Sequence, residues 1–278
     1  MFYLPTPLHI WHITLFKQEN DGRFMIWFFW ITVAFHLALL VAWLCRYTIW
    51  RLPSPHTNPR ILMYHAFGDT VPEGMKPDLC VRPSAFDKQV ALLKRKGYTF
   101  LTVSEMLGRA DLTKCVVLTF DDGFADNAEI ALPVLRKHQA KATIYVARKS
   151  DIPAVRMLSD EQLRELASDP LIELGAHTLN HVNLSRVDAA TAEAEVAGSK
   201  SYVESYTGRP CVSFAYPYGR FTDGTIELLK RHGFRSAVTV KKGFAPLTDC
   251  YCIRRTGVLR SCDELQFRIL LRCGRYRV

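Results

Sequence analysis

From residue 61 onward, short apolar runs alternate with stretches in which apolar residues recur every three or four positions. The runs at 61–64, 98–101, 115–120, 142–146, 171–176, 212–215 and 236–240 have the length and composition of strands. Between them the spacing predicts helices over 86–96, 127–138, 159–168, 188–206 and 225–232. Thr102-x-x-Glu105, Ser159-x-x-Gln162 and Ser261-x-x-Glu264 read as capping boxes, and the last opens a final helix after the strand-like run 253–258. Strand–helix alternation implies parallel strands with right-handed crossovers, hence an α/β barrel or a doubly wound sheet. Glycine-rich nucleotide loops of the Gly-x-Gly-x-x-Gly or Walker type are absent.

The N-terminal segment follows a different pattern. Residues 25–45 form a run of 21 positions without Asp, Glu, Lys or Arg. At about 1.5 Å per residue the run reaches roughly 30 Å, the thickness of a bilayer's hydrocarbon core. Trp27 and Trp30 near one end, with Trp43, Tyr47 and Trp50 near the other, suit interfacial anchors. His36 inside the run reads as a tolerated neutral imidazole. A cleaved signal peptide fits less well, because the preceding region is long and no small-x-small site follows. Ala42-Trp43-Leu44 before Cys45 is also a poor lipid-attachment site. The expected organisation is a tail (1–24), a transmembrane helix embedded in membrane lipid (25–45), a linker containing Pro53, Pro55 and Pro59 (46–60) and a globular domain (61–278). Lys17 and Arg23 precede the run, and Arg46, Arg51 and Arg60 follow it. That bias slightly favours a cytoplasmic C-terminal side, whereas the chemistry below expects the opposite side.

The formal charge of +9 suits anionic lipid or an acidic wall polymer, and a solvated basic face explains it equally well. No long basic run, zinc-finger spacing or RNP-like aromatic motif supports a nucleic-acid partner. Of the 8 cysteines, Cys115 falls in a strand and reads as a small apolar residue, and Cys250-Tyr251-Cys252 lacks zinc-knuckle spacing. Setting Cys45 aside leaves an odd number, so complete internal pairing is impossible.

Two motifs carry the chemistry. Thr119-Phe120-Asp121-Asp122-Gly123 ends one strand-like run, and His177-Thr178-Leu179-Asn180-His181 follows another. Alone, each is weak: Asp-Asp-Gly is usually a solvated turn, and surface helices produce His-x-x-x-His by chance. Together they sit where α/β folds place their chemistry, after the C-terminal ends of strands. One carboxylate and two imidazoles form the ligand set of a catalytic Zn²⁺-like ion with a position left open for water. The second carboxylate is then free to take a proton. Metal-assisted hydrolysis is the leading reading.

With Phe214-Ala215-Tyr216-Pro217-Tyr218-Gly219, these motifs resemble the signatures of the polysaccharide deacetylase family, the NodB-homology or carbohydrate esterase 4 domain, over most of 61–278. The resemblance implies a distorted (β/α) barrel with fewer than eight repeats. It implies removal of N-acetyl groups from N-acetylhexosamine units of a surface polysaccharide or a lipid-linked glycan. It also implies one divalent metal, Zn²⁺ with Co²⁺ or Ni²⁺ as alternatives. Carried over by position, Asp121 is the general base, while Asp122, His177 and His181 hold the metal. Tyr218 offers its N–H to the oxyanion, with Tyr216 and Pro217 beside it in the substrate site. Thr178 is expected to brace the histidine loop.

An amine leaves poorly unless protonated, so a general acid is required. The family's late Leu-x-His motif has no counterpart after His232. Leu62-Met63-Tyr64-His65 takes its place and resembles the permuted motif order of the poly-N-acetylglucosamine deacetylases. His65 is therefore the expected acid, the alternative being a histidine that packs under the barrel mouth. Two departures stand out. Where the family's third motif commonly begins with an arginine that orients the base, this chain has Ala215, and the acid histidine's usual acidic partner is missing. Arg254 and Arg255 are candidate substitutes. His138 and His232 lie near helix C-termini, where an imidazolium suits the dipole. Rival readings are a glycan-binding scaffold without turnover, or a deacylase of an O-acetyl or N-formyl sugar. The expected location is a bacterial inner membrane with an extracytoplasmic catalytic domain.

Overall fold

The computed structural model describes residues 8–47 and 52–275. The chain divides into two units, one holding the N-terminal helix and the other spanning Arg51–Tyr276. The helix, α1 (Leu8–Tyr47), starts well before the apolar run, inside the expected tail; residues 1–7 lie outside the described residues. Its part Gly22–Arg46 has a mean hydropathy of 2.2 and buries none of that stretch, so it is long and apolar enough to cross a membrane. Trp27, Trp30 and Trp43 are exposed on it; the Tyr47 side chain and Trp50, also expected as anchors, lie outside the described residues. His36 Nδ1 sits 2.7 Å from the Thr32 carbonyl of its own helix.

The second unit runs β1 (Arg60–Tyr64), β2 (Ala66–Phe67), β3 (Cys80–Val81), α2 (Pro83–Arg95), β4 (Thr99–Leu101), α3 (Val103–Leu107), β5 (Cys115–Phe120), α4 (Leu132–His138) and β6 (Ala142–Val146). It continues with α5 (Asp160–Ser168), β7 (Ile172–Ala176), α6 (Ala189–Thr207), β8 (Ser213–Ala215), α7 (Asp223–Arg231), β9 (Ser236–Val238), β10 (Thr256–Gly257) and α8 (Glu264–Cys273). The main sheet has the order β10-β1-β5-β6-β7-β8-β9, with β4 also pairing β5. Every pairing in it is parallel. Residues 250–255 lean back on β9, with Ala237 N–H donating to Cys250 O and Thr239 N–H to Ile253 O. The segment then reaches β1 as β10, so one splayed stretch closes a distorted parallel half-barrel. This is the α/β architecture that the strand–helix alternation and the family resemblance led us to expect.

All residues of β5 and β6 are buried, as parallel strands covered on both faces require. Ile61, Val117, Tyr145, Ala215, Val238 and Ile253 fill the interior. Gly175 is dictated by this packing: a Cβ there would lie 2.6 Å from the Tyr145 ring. Outside the sheet, Phe67 stacks near Phe86 and Phe120 with centroids 4.7 and 5.1 Å apart, and Tyr64 O–H donates to Gln89 at 3.0 Å. This cluster ties β1 and α2 to the end of β5 and so fixes where His65 emerges.

The boxes at Thr102 and Ser159 form as read. The third does not. Asp263 caps α8 and pairs reciprocally with Gln266, while Ser261 O–H donates to Asp78. A carboxylate at the helix N-terminus gains from the dipole as well as from the bond, and so outcompetes the serine. The helix expected over 127–138 opens instead with a wide π-type turn, Asn127–Ala131. The two-residue strands β2 and β3 were missed because so short a pairing leaves no periodicity.

Candidate active site

Four segments meet at the C-terminal ends of β1, β5, β7 and β8. Asp121 N–H donates to Tyr64 O at 3.0 Å, placing His65 and the aspartate pair side by side. The chain then turns through left-handed backbone at Asp122 (φ 76°) and Gly123 (φ 76°). At Gly123 a Cβ would approach Val146 Cα to 3.1 Å, so glycine serves both the turn and the close approach. Thr178, His181 and Tyr218 are left-handed too, with φ of 55°, 55° and 57°. Such backbone costs about 1–3 kcal/mol per non-glycine residue and clusters at functional sites.

Asp122 Oδ1 lies 3.4 Å from His177 Nε2 and 3.2 Å from His181 Nε2. The three ligand atoms all fall within 4.8 Å of one another. Each imidazole has an acceptor behind it: His177 Nδ1 meets Ala215 O at 2.7 Å, and His181 Nδ1 meets Asp151 Oδ2 at 2.8 Å. With a cation present, protons on the Nδ1 atoms would leave both Nε2 lone pairs free for it; without one, each Nε2 can donate to Asp122 Oδ1. Burial opposes charge at both Asp122 and His181. Hydrogen bonds from the two histidines nevertheless hold the Asp122 carboxyl far below the usual range. Bonds to Asp122 and Asp151 push His181 up to about 9. The site thus favours positive charge at this point, and its N,N,O donor set fits a divalent cation of the zinc type. Thr178 Oγ1 accepts the Val182 N–H at 3.0 Å and holds the loop between the histidines.

Beside this cluster, Asp121 is buried and clamped by Arg255: Nη1 donates to Oδ1 at 2.6 Å and Nη2 to Oδ2 at 2.7 Å. Arg255 also donates to Thr119 Oγ1 and Thr239 O, and its Cζ sits 5.7 Å from the Tyr145 ring centroid. Burial raises the Asp121 pKa, but the guanidinium's charge and bonds outweigh it, so the carboxylate is held below its ordinary value. Of the two candidate substitutes for the missing arginine, Arg255 reaches Asp121 from the segment just before β10, while Arg254 is exposed and lines a separate cavity. Ala215, at the position of the lost arginine, serves through its carbonyl on His177.

A cavity of about 360 Å³ opens over these groups, with Leu79, Ile152 and Val240 as an apolar wall. Asp121, Asp122, His177, His181, His65, Tyr216 and Tyr218 line it; Pro217 is buried and does not. Asn127 Nδ2 donates to the His65 carbonyl at 3.0 Å, and among the described residues no side chain bonds the His65 ring. Tyr216 is fully buried, its O–H committed to Tyr251 O and its ring stacked on Phe221 at 4.3 Å, so it supports the Tyr218 turn from beneath. Tyr218 is half exposed, and among the described residues no acceptor takes its N–H. Asp151 escaped the sequence reading. Its place in the loop after β6, at the same barrel mouth, is the one available signal, and a lone loop aspartate is too common to stand out.

A model of the polysaccharide deacetylase family matches residues 108–237. The Bacillus subtilis protein YxkH is 33% identical over 190 residues, covering 66% of this chain and 65% of that protein, just under two thirds of its length. The poly-beta-1,6-N-acetyl-D-glucosamine N-deacetylase of Staphylococcus aureus is 27% identical over 206 residues, covering 68% of this chain and 70% of its own. Among solved structures, the Streptococcus pyogenes deacetylase PplD, in complex with acetate, superposes with a TM-score of 0.68 at 30% identity, covering 79% of this chain and 97% of that one.

Proposed function

The chain belongs to the polysaccharide deacetylase family, and from that premise we propose that it removes N-acetyl groups from N-acetylhexosamine units of a surface polysaccharide or lipid-linked glycan. The carrying observation is the convergence of Asp122, His177 and His181 beside an arginine-clamped Asp121. Asp122, His177 and His181 would hold one divalent cation, Zn²⁺ by the pairing of two imidazoles with one carboxylate. When bound, such an ion acidifies a water and draws charge from the acetamide carbonyl.

Every other role falls to the chain's own residues. Arg255 keeps Asp121 ionised and oriented. A carboxylate of lowered pKa is a weak base, so Asp121 can accept a proton only from an acidified water, and it works because it is already ionised and in place. The free Tyr218 N–H, aimed by its left-handed turn, serves the oxyanion. His65, just after β1, protonates the departing amine, and Asp121 stands just after the neighbouring β5, so base and acid reach the same bond from the ends of adjacent strands. Tyr216 and Pro217 hold the Tyr218 turn. The apolar Leu79, Ile152 and Val240 wall suits a sugar face and keeps bulk water off the reacting groups. The helix at 25–45 anchors the enzyme in an inner membrane as a single pass. The domain at 61–278 lies on the extracytoplasmic side, where wall glycans are.

The test is acetate release by the full chain in detergent micelles from N-acetylglucosamine oligomers, with Zn²⁺, with Co²⁺ and after chelation. Asp121→Asn is expected to lower kcat by about 10²–10⁴-fold, and His65→Ala by a similar factor. Tight metal binding with no release from any oligomer would reject this substrate class. No metal binding would reject the hydrolase reading.

A further inference from the structure

Among the described residues, Asp151 is the one carboxylate lining the cavity that neither the ligand set nor the base–arginine pair employs. Its Oδ2 accepts from His181 Nδ1 at 2.8 Å and also accepts the Tyr218 hydroxyl. That hydroxyl lies 3.2 Å from the same Nδ1, with ring centroids 4.8 Å apart, so three groups from three loops share one bonding centre. The loop carrying Asp151 is itself stapled to the Asp122 turn. Leu158 N–H donates to Gly123 O at 3.0 Å, and Ala125 N–H to Arg156 O at 2.8 Å. Ile152, next to Asp151, packs on an apolar cluster that includes Met75 and Phe124.

We infer that Asp151 is a positioning residue that serves the metal ligand and the substrate face together. It accepts the hydrogen bond from His181 Nδ1–H, which reserves Nε2 for the cation, and it holds the Tyr218 ring at the cavity mouth. The inference rests on the metal reading above. The two histidines are supported differently. His177 leans on Ala215 O, a backbone carbonyl fixed by β8, whereas His181 leans on a side chain whose carboxylate is half exposed. An anionic acceptor also makes an imidazole a stronger donor to a cation than a carbonyl does. His181 is therefore the tunable ligand, and anything that shifts this loop loosens His181 and Tyr218 at once.

The test uses the full chain in detergent micelles, with Asp151→Ala, Asp151→Asn, Asp151→Glu and Tyr218→Phe. Zn²⁺ affinity is measured by competition with a chromophoric chelator. The His181 Nδ1–H resonance is followed by NMR in the Zn²⁺-loaded protein. Asp151→Ala is expected to weaken Zn²⁺ binding by about 10–100-fold and to expose the Nδ1–H to rapid exchange. Asp151→Asn, of the same shape but uncharged, should fall between Ala and wild type, and Asp151→Glu should recover part of the loss. Tyr218→Phe should leave Zn²⁺ affinity within about twofold, since His181 keeps its acceptor. Wild-type affinity and a protected Nδ1–H in both the Asn and Ala variants would overturn the inference while leaving the metal site standing. Failure of the wild type to bind Zn²⁺ would sink the parent reading instead.

Discussion

Arg60 and Arg255 are the two largest fully buried side chains in the described structure, and they mark opposite uses of the same cation. Arg60, at the start of β1, donates to four backbone carbonyls: Pro55 and Asn58 at 2.6 Å, Ser54 at 3.0 Å and Leu271 at 3.1 Å. Its Cζ lies 5.0 Å from the Phe244 ring centroid, and Leu271 belongs to the last turn of α8, where a cation meets the negative end of the helix dipole. Arg255, inside the barrel, spends two of its donors on a carboxylate assigned to chemistry. A buried guanidinium surrounded by carbonyls staples the scaffold. Bonded in a fork to a carboxylate beside histidines, it holds that carboxylate ionised and in place, as the proposed base requires. Burial alone does not distinguish them; the acceptor does.

The largest effect should come from breaking the second arrangement. Arg255→Met leaves Asp121 buried and unpaired, which should cost about 3–5 kcal/mol in urea denaturation at pH 7 and lower kcat/KM by about 10²-fold or more. Adding Asp121→Asn should restore most of that stability and none of the activity, because the orphaned charge is gone but so is the proposed base. A double variant no more stable than Arg255→Met would show that the pair is not coupled as drawn. Arg255→Lys keeps the charge without the fork, so stability should suffer less than activity. The next effect belongs to the other arginine. Arg60→Met should cost about 3 kcal/mol through its unmet carbonyls, while kcat/KM of the folded fraction stays within about twofold of wild type. A catalytic defect as large as that of Arg255→Met would erase the distinction.

The sequence distinguished these arginines only in part. Strands such as Cys115–Phe120 and Ala142–Val146 were legible to the residue, because burial on both faces writes an unbroken apolar run. The Asp122–His177–His181 cluster was legible because each motif stands directly after such a run. Arg255 could be named only as a candidate, since 134 positions separate it from Asp121 and barrel closure alone brings them together. Arg60 carried no mark at all: before the fold is known, it is one more cation in a basic linker. Asp151 was hidden for the same reason, its role set by the curl of one loop toward two others. What the chain does locally can be read from its pattern, whereas pairings made across the barrel depend on the closure that creates them.

The smallest predicted effect extends the comparison from arginines to aspartates. Asp121 has a guanidinium and is held acidic; Asp126, five residues on, is largely enclosed without one. Burial pushes Asp126 up to about 7, against the lowering bonds from the Phe67 N–H and the Asn127 side chain. The neighbouring Arg156 is engaged with Glu129 instead. Against an ordinary value of 3.8 in the unfolded chain, the native state binds the extra proton between about pH 4 and pH 7. Stability should therefore fall as pH rises through that window and level off above it. Asp126→Asn should flatten this slope, matching wild type below about pH 4 and exceeding it at pH 8, measured by urea denaturation at a series of pH values. A wild-type stability that instead rises between pH 4 and 7 at this site, and is lost in the Asn variant, would mean that Asp126 has a cationic partner after all. The two aspartates would then differ in position but not in kind.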